Sequence, residues 1–276
     1  MEPIDLHHQG AERIIGVYLL ETEDGPALHD CGPSTCADAL KAGLRARGLE
    51  LTDIGHLLLS HIHLDHAGAT GVLVREHPRL QVHVSEIGAP HLVDPSRLEA
   101  SARRLYGDTF DTLWGELAPV PEENVHVVGD RVLGFECFPS PGHASHHVVY
   151  MAPDGTAYCG DAAGVRIQPH EFVMPPTPPP EVDVAAWHET IDELERRDPQ
   201  ELALIHFGVA HDPKRHFAEL RQRLDDWAAR VSSGATEDEF IAAAQDELGA
   251  AEYDRAMPLW QSYAGLKRWA EKRQAA

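Results

Sequence analysis

Ser60-His61-Ile62-His63-Leu64-Asp65-His66-Ala67-Gly68 decides the reading of this chain. Four of these nine side chains are able to bind a metal. Before it, Gly55-His56-Leu57-Leu58-Leu59 reads as a short buried strand; after it, residues 69–77 read as a helix. The potential ligands therefore sit on a strand-to-helix loop with regular structure on both sides. In an extended loop His61 and His63 project the same way, because side chains alternate with period two. Asp65 and His66 then turn into the helix start and face a second position. The spacing suits two metals better than one, and a polar loop rich in histidine by accident is the weaker reading.

Around this motif, 276 residues with 43% hydrophobic content are enough for one large domain or a domain with an appendage. Lys and Arg number 23 against 45 Asp and Glu, a formal net charge of −22. So acidic a surface repels phosphate backbones and argues against nucleic acid as a partner. Cys31, Cys36, Cys137 and Cys159 form no CxxC pair and read as reduced, buried thiols. The acidic N-terminus has no apolar leader, and no run approaches the ~18 apolar residues of a membrane span. The expectation is a soluble cytoplasmic protein without a membrane partner, acting on a small molecule.

Working outward, residues 13–21 and 26–30 read as strands around the turn Glu23-Asp24-Gly25. Ser34 is placed to cap a helix running to about residue 47. Residues 80–84, 125–128, 132–138, 147–151, 157–159 and 202–205 complete the strands. Residues 88–118 carry a helical pattern between two strands and read as an inserted cap. Residues 175–180, with five prolines, form a stiff surface crossing. Asp183 is placed to cap a helix to residue 197. Residues 212–276 read as helices over 213–231, 237–248 and 252–273. The organisation expected is a domain at 1–211 with its cap, followed by a C-terminal helical extension; strands then helices, twice over, point to two sheets with helices outside.

Three more polar residues terminate apolar runs: His143 in Ser140-Pro141-Gly142-His143, Asp161 in Gly160-Asp161, and His206 in His206-Phe207-Gly208. A strand end fixes a side chain while leaving it open to a pocket, and an adjacent glycine lets backbone approach closely. Three such ends beside a four-ligand motif form a joint signal that none carries alone.

With those residues in view, the chain resembles the metallo-β-lactamase superfamily over roughly residues 14–208, in the order HxHxDH, GH, GD and a late His. The resemblance implies an α/β fold, the αββα sandwich, with metals at the sheet edge. It implies one site of His61, His63 and His143, a second of Asp65, His66 and His206, and Asp161 as the bridging carboxylate. Asp30 resembles the family's early Asp, which supports ligands without binding metal. Two divalent ions are implied: zinc first by donor type, with iron or manganese accepted by the same set. The activity implied is hydrolysis of an ester, thioester or lactone by a metal-bridging hydroxide, with Asp65 orienting it and passing on its proton.

Branch features narrow this. Asp161 stands where zinc β-lactamases carry Cys. Ala162-Ala163 replaces the Thr-Leu of glyoxalase II, and no Tyr follows Asp161 as in quorum-signal lactonases. The cap and the proline crossing are similar to an uncharacterised prokaryotic branch. A mononuclear iron oxygenase of the persulfide dioxygenase kind and a catalytically silent metal-binding protein are the alternatives. Tyr106, Trp114 and Phe172 are candidate substrate contacts, and His7, His8 and His29 candidate rim residues. His146 and His147 are neighbours of the site; His170 and His211 carry no assigned role. The aromatics Trp260, Tyr263 and Trp269 read as packing on the domain or on a second copy in a homodimer.

Overall fold

A computed structural model describes residues 2–275; Met1, at the N-terminus read above, and Ala276, at the end of the C-terminal extension, lie outside it. Two six-stranded mixed sheets face one another. The first runs β1 (Ile4–Asp5), β2 (Gly16–Thr22), β3 (Gly25–His29), β4 (His56–Leu58), β5 (Gln81–Val84), β6 (Val125–Val127). Its pairs β3–β4, β4–β5 and β5–β6 are parallel, which places the ends of β3 and β4 at one edge. Between these strands lie α1 (Ala37–Arg45), α2 (Leu64–Ala67), α3 (Thr70–Glu76), α4 (Ala89–Val93), α5 (Ser96–Tyr106) and α6 (Phe110–Leu113). The second sheet comprises β7 (Arg131–Val132), β8 (Phe135–Pro139), β9 (Val148–Met151), β10 (Thr156–Gly160), β11 (Glu201–Leu204) and β12 (Gly208–Ala210), in the spatial order β12-β11-β10-β9-β8-β7. It is covered by α7 (Val184–Arg196), α8 (Pro213–Ser232), α9 (Glu237–Leu248), α10 (Glu252–Ala256) and α11 (Leu259–Ala275).

Period-two alternation builds the layers. Tyr150, Tyr158 and Ala203 face inward to join Tyr18, Leu28 and Leu57 between the sheets. Val149, Cys159 and Leu204, one residue along, face outward and meet Trp187, Phe217, Leu220 and Trp227. Strands apolar on both faces belong in a sheet covered on both sides. The αββα sandwich expected from the sequence is the fold observed. The sheets are stitched at one edge by backbone bonds, Gly16 N to Ile205 O at 2.9 Å and Val148 N to Ser60 O at 2.8 Å. All four cysteines are free and buried, and no described helix is long and apolar enough to cross a membrane.

Several boundaries differ from expectation. Ser34 opens a 3₁₀ turn ahead of α1, and its hydroxyl donates to Trp114 O instead of capping the helix. The run 132–138 is split into β7 and β8 by Leu133 and Gly134, both at positive φ, which make a two-residue hairpin. The helix expected over 252–273 breaks at Met257-Pro258, because proline belongs at a helix start rather than its interior. Strands β1 and β12 were not foreseen; two and three residues are too few for periodicity to register.

Candidate metal centre

The four ligand-bearing segments leave strand ends on the stitched edge: 60–66 after β4, His143 after β8, Asp161 after β10 and His206 after β11. The structure brings all seven predicted residues together. His61 Nε2 lies 2.9 Å from His63 Nδ1, which is 2.8 Å from His143 Nε2. His206 Nε2 lies 3.4 Å from Asp65 Oδ2 and 3.5 Å from Asp161 Oδ1. His66 Nε2 is 3.6 Å from Asp65 Oδ2 and 3.5 Å from Asp161 Oδ1, while Asp161 Oδ2 is 3.3 Å from His143 Nε2. Asp161 thus faces both halves of the cluster with different oxygens.

The far side of four of the five imidazoles is tied down. His143 Nδ1 donates to Pro176 O at 2.8 Å and His206 Nδ1 to Ile14 O at 2.5 Å. His66 Nδ1 donates to Asp30 Oδ2 at 2.8 Å. Ser60 Oγ gives its proton to the same Asp30 oxygen at 2.7 Å and accepts from His61 Nδ1 at 3.0 Å. With Nδ1 protonated, Nε2 of these four rings presents a lone pair to the cluster, the tautomer a metal requires. His66 Nε2, His206 Nε2 and both oxygens of Asp161 are buried and have no hydrogen-bond partner. Buried polar atoms are normally satisfied, so a converging set of orphans fits divalent cations, and the hard carboxylate and borderline imidazole donors suit zinc, iron or manganese.

Charge balance supports the same fit. Burial opposes ionisation of Asp161, yet His66, His143 and His206 hold its carboxyl well below the usual range. Burial likewise pushes Asp65 up, and His66 and His206 more than offset it. Burial lowers His66 and His206, but the carboxylates of Asp65 and Asp161 raise both overall. His61 and His63 are pushed well below 6.5 by burial and by neighbouring histidines.

Supporting residues include one neighbour expected from the sequence, His147, and others that spacing does not mark. His147 accepts from Asp161 N at 3.1 Å and donates to Ser140 Oγ at 2.7 Å, fixing the Asp161 loop and the His143 loop to each other. Trp187 of α7 donates to Ala162 O at 2.7 Å. A Cβ on Gly142 would lie 2.3 Å from Trp187 Cβ, and one on Gly160 would lie 2.5 Å from Ser60 Cβ; both glycines have positive φ. The backbone carbonyls of Pro176 and Ile14 have no side-chain signature at all.

A cleft of ≈ 490 Å³ opens from His63 and Asp65 between the cap (α4–α6), the proline crossing and α10–α11. Tyr106 and Trp114 line it; Phe172 does not, and packs on Tyr253 instead. His8 lines it too, stacked on Trp114 at 5.6 Å, and His146 forms part of the wall. His7 is exposed, and His29 is buried between Tyr150 and Tyr158. His211 pairs with Glu201, and His170 lies against the Tyr253 ring. Tyr263 packs inward and donates to Ala235 O.

A two-sheet sandwich with a His/Asp cluster at its edge defines a class of metal-binding α/β proteins. The chain belongs to the metallo-β-lactamase superfamily, whose family model matches residues 12–209. It is 25% identical over 183 residues to the metallo-beta-lactamase fold-containing protein ST1585 of Sulfurisphaera tokodaii, a match covering 63% of this chain and 68% of that one. It is 33% identical over 128 residues to the lactamase-like protein adaB of Aspergillus niger, covering 42% of this chain and only 38% of the fungal protein. Among solved structures, TTHA1429 from Thermus thermophilus aligns over 99% of this chain and 93% of its own with a TM-score of 0.71 at 20% identity, so the likeness of fold takes in the C-terminal helices. TTHA1623, solved in a di-iron-bound form, aligns over 76% of this chain and 93% of its own with a TM-score of 0.56 at 25% identity.

Proposed function

We propose that the protein is a dinuclear metal-dependent hydrolase of a small-molecule ester, thioester or lactone. The observation that carries this reading is the convergence of seven donor residues, among which four buried ligand atoms have no other partner. His61, His63 and His143 would hold one ion; Asp65, His66 and His206 the other; Asp161 offers an oxygen to each. When bound, a pair of divalent ions supplies Lewis acidity for a substrate carbonyl and lowers the pKa of water toward ~7. Zinc is the first choice by donor set, and the di-iron-bound TTHA1623 supports iron as the alternative.

The chain's own residues supply the rest. Asp65, on the first turn of α2 and facing the cleft, is ionised at neutral pH and positioned to take a proton from an attacking water. Tyr106 and Trp114, in edge-to-face contact at 5.1 Å, give the cleft an aromatic wall. The second nitrogen of each anchored imidazole keeps its ring from rotating away as charge develops.

The test is metal analysis of the purified full chain, with turnover on a panel of esters, thioesters and lactones. About two ions per chain and metal-dependent turnover are expected, both lost in a His61→Ala, His63→Ala variant. Undiminished metal and activity in that variant would overturn the assignment. Oxygen consumption with one iron per chain would replace it by the oxygenase reading.

A further inference from the structure

The walls of the cleft carry information about substrate that the metal centre does not. On α5, Leu98, Ala102 and Leu105 face the cleft, and Met257 and Pro258 oppose them from the C-terminal region. Leu64, inside the metal motif, belongs to the same apolar cluster as Ala102, Phe110 and Trp114. An apolar channel therefore begins at the reacting edge. Its mouth is different: Arg97 and Arg104, seven residues apart on one helical stripe, and Arg255 of α10 are exposed around it.

Arg45, Arg79 and Arg131 are also exposed and unpaired elsewhere on the surface; what distinguishes these three arginines is that they gather at one opening. Arg103, adjacent to Arg104, is neutralised by Glu99 and Asp111; Arg75, Arg166, Arg215 and Arg221 are likewise paired with carboxylates. Among the described residues, Arg97, Arg104 and Arg255 make no ion pair, although the chain carries 45 acidic residues against 23 basic ones. Of the two carboxylates in the wall, Asp65 belongs to the metal cluster and Glu181 is engaged by Ser145 N and Oγ; Asp94, three residues before Arg97, interacts with that arginine only at longer range than an ion pair. Three unpaired cations on an acidic protein, gathered at one opening, form a local positive field suited to an anion.

We propose that the substrate is an anionic amphiphile: an ester or thioester whose apolar segment runs from the carbonyl along the cap and ends in a carboxylate, sulfonate or phosphate held by Arg97, Arg104 and Arg255. This rests on the hydrolase reading. In the reaction, water oxygen bonds to the carbonyl carbon, the acyl C–O or C–S bond breaks, and the water proton leaves with the alcohol or thiol. The anion takes no part in the bond changes; it sets which molecules enter.

Calorimetric titration of the full chain, carrying its metal, with octane-1-sulfonate and with octan-1-ol separates the two parts of the claim. The sulfonate is expected to bind about tenfold more tightly than the alcohol, an advantage that falls with added salt. In the R97Q/R104Q/R255Q variant that advantage collapses, and Trp114→Ala weakens both ligands. The arginines are exposed, so the triple variant is expected to unfold at the wild-type temperature; Arg104→Glu alone provides a second reading in the same direction. Equal affinities, or a preference that survives the triple variant, would overturn the proposal. Cleavage of uncharged esters without sulfonate preference overturns the substrate class and leaves the hydrolase standing. Sulfonate preference without turnover of any acyl compound supports the cleft's ligand chemistry and overturns the hydrolase.

Discussion

Asp30 contributes no donor to the metal cluster, yet it is the residue on which the HxHxDH segment hangs. Its Oδ1 accepts from Ser60 N at 2.7 Å, and its Oδ2 accepts from Ser60 Oγ and from His66 Nδ1. Asp30→Asn keeps the first bond and loses the charged acceptor shared by the other two. Metal affinity is expected to fall about 10- to 100-fold, read by chelator competition; wild-type affinity would show that His66 orients itself. A second expectation concerns a histidine away from the centre. His216 is fully buried, donates to Ala163 O at 2.7 Å, and is pushed down to about 4 from 6.5 by burial. The unfolded chain therefore binds this proton first. The stability it contributes is full above about 6.5 and is lost as pH falls toward 4, on the order of 3 kcal/mol. His216→Gln should flatten that part of the stability–pH curve; an unchanged slope would remove His216 as its source. The seven cluster residues were legible in sequence, four by their spacing in one motif and His143, Asp161 and His206 because each ends an apolar run. His147 was legible only as a neighbour of the site, and Pro176 and Ile14 not at all, because they act through hydrogen bonds formed only once distant segments meet.

At the scale of elements, α7 controls two ligand loops at once. Its Trp187 abuts Gly142 and holds Ala162 O, and Thr190 donates to Pro141 O at 2.6 Å. Gly142→Ala adds a methyl 2.3 Å from Trp187 Cβ at a φ of +134°, so either α7 or the His143 loop must move. We expect a loss of roughly 1–3 kcal/mol in stability, with metal binding weakened in parallel. Unfolding and metal titration of one sample check both, and loss of stability alone would show that the loop holds its place without the helix. Element type was readable wherever a pattern had length: α9 follows the expected range 237–248, and the structure shows a capping box at Thr236 opening it and Gly249 closing it. It failed at Met257-Pro258 and at the Leu133-Gly134 turn, where one or two residues outweigh an otherwise continuous pattern.

For the whole molecule, the question is whether residues 212–276 are an appendage or a layer. In β10 and β11, Ala157, Cys159, Leu202 and Leu204 face away from the inter-sheet core, and their cover is Phe217, Leu220, Leu224 and Trp227 on α8 together with α7. The sequence held this in outline, since strands apolar at consecutive positions need both faces covered; it did not say which helix supplies the cover. Trp227 is fully buried and its Nε1 donates to Glu247 Oε2 at 2.9 Å, which carries the packing on to α9. Trp227→Ala is expected to cost about 3–5 kcal/mol. A chain ending at residue 211 uncovers the outer sheet face and removes the Arg255 side of the cleft. It should aggregate or bind hydrophobic dyes, while the full chain unfolds in one cooperative transition. A soluble 1–211 fragment with native near-ultraviolet dichroism and full metal content would show that the sandwich closes without its last helices. The cleft wall from α10–α11 would then be a separable device for choosing substrate.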